Sequence, residues 1–222
     1  MKSILIIGTG HFGSHLCMNL SKLNNEIMIV DKCEEQLEDL LPYVTSAKIG
    51  DCANAKVLES LGVSNFDICV VCIGDSFQDS LEITSQLKDL GAKRVVSKAN
   101  RDLYAKFLLR NGADKVIFPD RDIAEKLAVQ LSSDSILDYF NLTDGYSICE
   151  ISPLKEWIGK TILEVNFRTK YHLSIIGVKV DDQTKIMPNA DYVFQNGENL
   201  IVIGRQEDIN KIIRNKNKSA WR

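Results

Sequence analysis

The stretch Ile6-Ile7-Gly8-Thr9-Gly10-His11-Phe12-Gly13-Ser14-His15 places glycines at the first, third and sixth positions of a turn. Before it, Lys2 to Ile7 is a β-branched apolar run. After it, Phe12, Leu16, Met18, Leu20 and Leu23 recur at roughly helical spacing. The order is therefore strand, tight turn, helix. In that setting the first glycine allows the turn, the second lets backbone approach a pyrophosphate, and the third lets the helix pack on the strand. Free N–H groups and the positive end of the helix dipole then face the phosphates. The turn residues Gly8, Gly10, His11, Phe12 and Gly13 are the expected phosphate cradle.

Outward from this turn, the pattern repeats. Apolar runs over residues 26–30, 46–49 and 68–73 stop at Asp31, Gly50-Asp51 and Gly74-Asp75. Helical spacings over 33–41, 53–61 and 77–90 separate them. Further strands are expected over 94–97 and 115–118, with a helix over 103–110 that stops at Asn111-Gly112 and another running from Pro119 to Leu131. Strict strand–helix alternation, with continuous rather than alternating hydrophobicity in the strands, is the signature of a parallel sheet covered on both faces. The expected fold is α/β, a Rossmann-like doubly wound domain over residues 1–140.

After Thr143-Asp144-Gly145 the pattern changes. Strands are expected over 146–151, 173–180 and 199–203, with another strand after the Asp181-Asp182-Gln183 turn ending at Met187-Pro188. A short helix with its entry is expected over 157–164, and another over 206–213. This reads as a small α+β domain over 141–213, followed by a frayed Lys/Asn/Arg-rich tail over 214–222.

Composition excludes several classes. With 27 Lys+Arg against 30 Asp+Glu, the net charge of −3 provides no field for nucleic acid or an acidic membrane surface. No secretory leader and no apolar run of bilayer length occurs, so a cytoplasmic location is expected. The six cysteines are scattered among hydrophobic segments and are expected to be reduced thiols. Cys69 and Cys72 have CxxC spacing, but within an apolar strand they point to opposite faces, which argues against redox or zinc chemistry.

Asp31, followed by Lys32, ends the second strand at about the offset needed to accept ribose hydroxyls. An acidic residue there repels a 2′-phosphate, which disfavours NADP and leaves NAD, ATP and ADP compatible. Asp51 and Cys52 would lie beside the base, and Ile73 and Gly74 would line the crevice. Alternatively, Asp51 caps the helix at Ala53 and Gly74 only permits a turn. Lys98 stands at the carboxyl end of a parallel strand, where a cation faces the ligand crevice unless it is merely solvated. His11 and His15 have a spacing that can chelate a metal; His11 facing a phosphate, or simple exposure, are the other readings.

The segments "IIGTGHFGSHL", "IVDKCEEQLEDL", "KIGDCAN", "VVCIGDSFQDSLEITSQLKDLGAKRVVSKA" and "LLRNGADKVIFPDRDIAEKLA" resemble RCK proteins of the KtrA/TrkA type, which regulate potassium uptake. The resemblance covers residues 1 to about 213. It implies a nucleotide-binding RCK_N domain and a regulatory RCK_C domain. It also implies dimers assembling into an octameric ring, peripheral on the inner membrane face through a potassium-translocating subunit of KtrB/TrkH type. ATP/ADP or NAD(H) would bind at the N-domain. Asp120 stands where relatives often have a glutamate that binds Mg²⁺ or Ca²⁺ near the nucleotide. His11 stands where they commonly have an arginine that reads the terminal phosphate of ATP; a shorter, mostly neutral side chain there adds weight to NAD(H). In the C-domain, Ile162, Leu163, Arg168 and Pro188 correspond to positions that bind cyclic di-AMP in relatives.

Two other functions compete. An NAD-dependent oxidoreductase would need an acid–base group in the partner domain, which offers only His172 and no Tyr-x-x-x-Lys pair. A DNA-binding redox sensor would need a basic helix–turn–helix module, and neither end supplies one.

Overall fold

The computed structural model describes residues 1–131, 136–142, 145–181 and 183–219. Two compact units divide between Asp122 and Ile123. That division falls inside a helix, ahead of residue 140, where the sequence pattern changes.

The first unit is a parallel sheet. Its strands are β1 (Ser3–Ile7), β2 (Glu26–Asp31), β3 (Ser46–Ile49), β4 (Ile68–Val71), β5 (Val95–Lys98) and β6 (Lys115–Ile117). They lie in the order β3-β2-β1-β4-β5-β6, which reverses direction at β1. β1 pairs in parallel with both β2 and β4. The helices are α1 (His11–Ser21), α2 (Glu35–Glu38), α3 (Ala55–Glu59), α4 (Phe77–Asp89), α5 (Asp102–Arg110) and α6 (Pro119–Leu131).

Side chains alternate across the central strands and build one core on each face. Leu5, Ile7, Cys69 and Val71 join Leu58, Ile83 and Leu87 on one face; Ile4, Ile6, Val70 and Cys72 join Cys17 and Leu37 on the other. Cys69 and Cys72 thus lie on opposite faces. Burial pushes both thiols up to about 12, so neither is a thiolate at neutral pH.

One helix is shorter than its pattern suggested. The segment expected as helix over 33–41 yields only the four residues of α2, followed by a 3₁₀ turn at Leu41–Tyr43. Pro42, in that turn, has no N–H to donate to the Glu38 carbonyl four residues back, the bond that would carry the helix onward.

The second unit is a five-stranded sheet in the order β10-β9-β11-β8-β7, whose pairings are antiparallel. Its strands are β7 (Ile136–Asn141), β8 (Tyr146–Ile151), β9 (Leu173–Val180), β10 (Gln183–Ile186) and β11 (Asn199–Arg205). β7 was not foreseen. Pairing with β8 makes it a strand, and a partner found in space leaves little local signal. The helix expected over 157–164 divides into a 3₁₀ turn at Lys155–Trp157, α7 (Ile162–Val165) and, beyond Asn166, α8 (Phe167–Tyr171). Thr161 and Glu164 form a capping box that starts α7, and Asn166 at φ 53° ends it. Trp157, Phe167, Phe194, Leu200 and Val202 are core residues of this unit.

The last helix, α9 (Gln206–Ser219), continues past Ile213, so most of the expected frayed tail is helical; residues 220–222 lie outside the described residues. The expected turns lie there in part as well, at Thr143-Asp144 and Asp182. Among the described residues, no helix is long and apolar enough to cross a membrane.

Candidate nucleotide site

Gly8 has φ +91°, a left-handed conformation that sends the chain from β1 into the turn. A Cβ on Gly13 would stand 2.1 Å from the carbonyl oxygen of Gly8, so the helix meets the strand end only because that side chain is missing. Gly10, by contrast, has nothing within 4 Å of a Cβ position; its face is open to a ligand. The first turn-closing bond of α1 runs from Ser14 N–H to Gly10 O at 3.0 Å. The amides of His11, Phe12 and Gly13 precede it and have no carbonyl of their own helix to pair with.

Asp31, at the end of β2, is committed to this turn. Its Oδ2 accepts from the Thr9 amide at 2.6 Å and the Thr9 hydroxyl at 3.0 Å, while its Oδ1 accepts from the Cys33 amide at 3.0 Å. The carboxylate therefore stitches the β1–α1 turn to the end of β2. Oδ2 thus accepts twice, while Oδ1 keeps a lone pair for a further donor such as a ribose hydroxyl.

A crevice of about 210 Å³ opens at the carboxyl ends of β1, β2 and β4, at the point where strand order reverses. Gly8, Gly10, Asp31, Lys32, Asp51, Cys52, Ile73 and Gly74 line it, as do Cys33, Gln36, Asp75, Ser76 and Asp79. Cys52 is buried, and desolvation, with the Asp51 and Asp31 charges, pushes its thiol up to about 12. Asp51 does not cap the neighbouring helix: its Oδ1 accepts from Ala53 N–H at 2.9 Å, and Asn54 is the N-cap, accepting from Lys56 N–H at 3.1 Å.

Beside the crevice lies a second cavity of about 340 Å³ that shares Ile73, Gly74, Asp75 and Ser76 with it. Lys98 and Asp120 line this cavity together with Arg101, Asn100, Phe77, Ser80 and Tyr104. Lys98 Nζ lies 3.4 Å from where a Gly74 Cβ would stand and 6.0 Å from the Phe12 ring centroid. The ammonium therefore lies beside Gly74, at the border of the two cavities. Phe12 packs partly buried against the sheet. Neither His11 nor Phe12 nor Gly13 lines either cavity. Among the described residues, no group of three or more His, Cys, Asp or Glu side chains is arranged to hold a metal.

Ser76, Asp79, Ser80 and Arg101 were missed in the sequence. The signal available was Ser76-x-x-Asp79: Ser76 Oγ accepts from Asp79 N–H at 3.2 Å and starts α4 directly under the crevice. Arg101 carried no local signal beyond its place after β5.

In the second unit, Ile162, Leu163, Arg168 and Pro188 line one cavity of about 360 Å³, together with Asn166, Phe167 and Ile175. Leu163 is 72% exposed and so is not a core residue of this unit.

A parallel sheet of this order, with a glycine turn and an acidic residue ending β2, defines a doubly wound domain of the mononucleotide- and dinucleotide-binding class. Comparison with known proteins sharpens this. The TrkA-N domain model matches residues 4–119 and the TrkA-C domain model residues 149–217. The Ktr system potassium uptake protein C of Bacillus subtilis is 35% identical over 210 residues, 95% of each chain. The chain belongs to the TrkA-N/TrkA-C family of potassium uptake proteins. Among solved structures, the GsuK RCK domain superposes with a TM-score of 0.64 at 21% identity, covering 96% of this chain and 47% of that one. A GsuK channel bound to NAD superposes with a TM-score of 0.53 at 21% identity, covering 99% and 39%.

Proposed function

We propose that this chain is the cytoplasmic regulatory subunit of a Ktr-type potassium uptake system, switched by an adenine nucleotide in the crevice over Gly8, Gly10 and Asp31. One observation carries the reading: in a chain of this family, the glycine turn, the ribose-side carboxylate and Lys98 converge at the switch point of the sheet. The adenine end lies toward Asp51 and Cys52, and the phosphates lie toward Gly10 and Lys98. Either ATP/ADP or NAD(H) suits this geometry, and Asp120, an oxygen donor on the wall of the second cavity, is the residue that would help to hold Mg²⁺ or Ca²⁺ arriving with the phosphates.

Binding alone does not gate a transporter. The ligand must prefer one of two conformations of the assembly, and its differential affinity sets the shift. No bond need be broken. The assembly is a homo-oligomer, built from dimers into an octameric ring that docks on a KtrB/TrkH-type membrane subunit. Ile123, Leu127 and Leu131 on α6 support self-association: they recur every four residues and are between 48% and 78% exposed.

Calorimetric titration of nucleotide-stripped protein with ATP, ADP, NAD⁺ and NADH, with and without Mg²⁺, tests the reading. Saturable binding of at least one of these supports it; heat from none of them overturns it.

The cavity on the second unit favours a second input. Arg168 beside Ile162, Leu163 and Pro188 offers a cation next to apolar walls, which suits the phosphates and bases of cyclic di-AMP. Adding this ligand to the same titration tests it.

A further inference from the structure

We propose that the cavity beside the crevice is a phosphoryl subsite, read by Lys98, Arg101 and the buried hydroxyl of Ser80 rather than by His11. The inference rests on nucleotide binding in the neighbouring crevice and assigns the group that lies beyond its first phosphates.

Three observations carry it. First, Ser80 is 2% exposed and lines this cavity, yet its Oγ has no hydrogen-bond partner among the described residues. A buried hydroxyl without a partner is costly, and a ligand oxygen arriving in the cavity would satisfy it. Second, Lys98 and Arg101 line the same cavity, and no carboxylate among the described residues lies within ion-pair distance of either. Arg101 stacks over the Tyr104 ring at 5.5 Å, which leaves the N–H groups at the guanidinium edge for an anion. Third, His11 is exposed and lines neither cavity.

The floor under Ser80 is also tied to Lys98. The Ser80 carbonyl accepts from Thr84 Oγ1 at 2.6 Å, and Thr84 Oγ1 lies 2.8 Å from Ser97 Oγ, on the residue before Lys98. All three hydroxyl residues are buried. A ligand on Ser80 thus presses on α4 and β5 together. Asp75 and Asp120 share the cavity wall, so its four charges cancel. An anion gains there by reaching Lys98 and Arg101 directly, or by arriving with a divalent cation that the two carboxylates share.

The phosphoryl group is either the terminal phosphate of a nucleotide in the crevice or free phosphate. Calorimetry on the full chain separates them, using AMP, ADP, ATP and inorganic phosphate with wild type, Ser80→Ala, Arg101→Gln and His11→Ala, each with and without Mg²⁺. The expected result is that Arg101→Gln weakens ATP about tenfold relative to ADP and Ser80→Ala about threefold, the sizes of a charged and a neutral hydrogen bond. His11→Ala leaves the ATP-to-ADP ratio unchanged. Inorganic phosphate that binds alongside AMP and is lost in Arg101→Gln identifies free phosphate as the occupant. Phosphate that does not bind, with the ATP effect present, identifies the nucleotide's own terminal group. An unchanged ratio in both cavity variants together with no Arg101-dependent binding of inorganic phosphate, or a collapse of the ratio in His11→Ala, overturns the subsite while leaving AMP binding and the nucleotide reading intact. Failure of AMP, ADP and ATP to bind to wild type overturns the subsite, and the nucleotide reading falls with it only when NAD⁺ and NADH also fail to bind.

Discussion

The Asp31 carboxylate accepts from Thr9 twice, at the amide and at the hydroxyl, through the same Oδ2. An acidic residue at the end of β2 suggests a ribose ligand when it is read from sequence. In the fold it is also the clasp of the β1–α1 turn, so loss of ligand and loss of turn geometry are coupled. Asp31→Ala is expected to weaken every adenine nucleotide at least tenfold and to lower stability by about 1–2 kcal/mol through the unpaired Thr9 and Cys33 amides. Thr9→Val removes only the hydroxyl bond. It should cost about 1 kcal/mol and leave affinity within a few-fold. Calorimetry paired with thermal melts separates the two effects.

The glycines of the turn divide into structural and ligand-facing positions. Gly13→Ala drives a Cβ into the Gly8 carbonyl, so it should destabilise by about 2–3 kcal/mol, whatever ligand is present. Gly10→Ala meets no protein atom and should leave melting nearly unchanged, while it weakens phosphate-bearing ligands more than adenosine. A Gly10→Ala variant that binds ATP as wild type does would place the phosphates elsewhere.

Five of the six cysteines are buried, and Cys33, half-buried, lines the crevice. Burial raises the thiols of Cys17, Cys52, Cys69, Cys72 and Cys149, four of them to about 12. Iodoacetamide at pH 8 should therefore label the native protein at Cys33 alone, and saturating nucleotide should slow that labelling. Mass spectrometry of the digest reads both results. Equal labelling of Cys33 with and without a bound nucleotide would move the ligand away from the end of β2.

Acid should weaken one tie between α4 and β6. Burial on its own would raise the Asp114 carboxyl, but hydrogen bonds from Lys88 Nζ at 2.7 Å and Val95 N–H at 2.6 Å outweigh it and hold the group below its usual value. A depressed folded-state pKa adds stability above the unfolded value near 4, and that stability fades as pH falls through the folded value. Asp114→Asn should therefore melt a few degrees below wild type at pH 7, a gap of about 1 kcal/mol for a partly exposed pair. The two melting temperatures should draw together as pH falls from 7 through the carboxylate range; a gap of constant size would assign the effect to packing.

Arg168→Ala should abolish binding of cyclic di-AMP, if the second unit takes it, and leave nucleotide affinity untouched. Arg168 lies on α8 in the second unit, and the crevice is built wholly from residues of the first. A parallel loss of both ligands would mean that the two sites are energetically coupled.

Much of the first unit was legible because its signals are local. The glycine turn lies between a buried run and a helical repeat, and α6 starts at Pro119 because a proline at the first helical position costs no intrahelical bond. The second unit was less legible. β7 pairs with β8 through a partner found in space, whereas β10, whose four residues are all exposed, was legible from the turn before it rather than from buried alternation. The helix expected over 157–164 missed the left-handed residue Asn166, which separates α7 from α8. Asn adopts that conformation more readily than most residues, but nothing in its neighbours requires it there.

The sequence by itself determined the strand–turn–helix at Gly8, Gly10 and Gly13, the parallel α/β class, and an acidic residue at the end of β2, since backbone sterics and short-range periodicity act on neighbouring residues. Only the tertiary structure decided that Thr9 already holds Asp31, that Lys98 comes to lie beside Gly74, that Ser80 and Arg101 meet in one cavity, and that His11 stays outside it. The physical reason is the crossover topology. Parallel strands bring the carboxyl ends of β1, β2, β4 and β5 to one edge, so side chains from separate βα units become neighbours that no local spacing records.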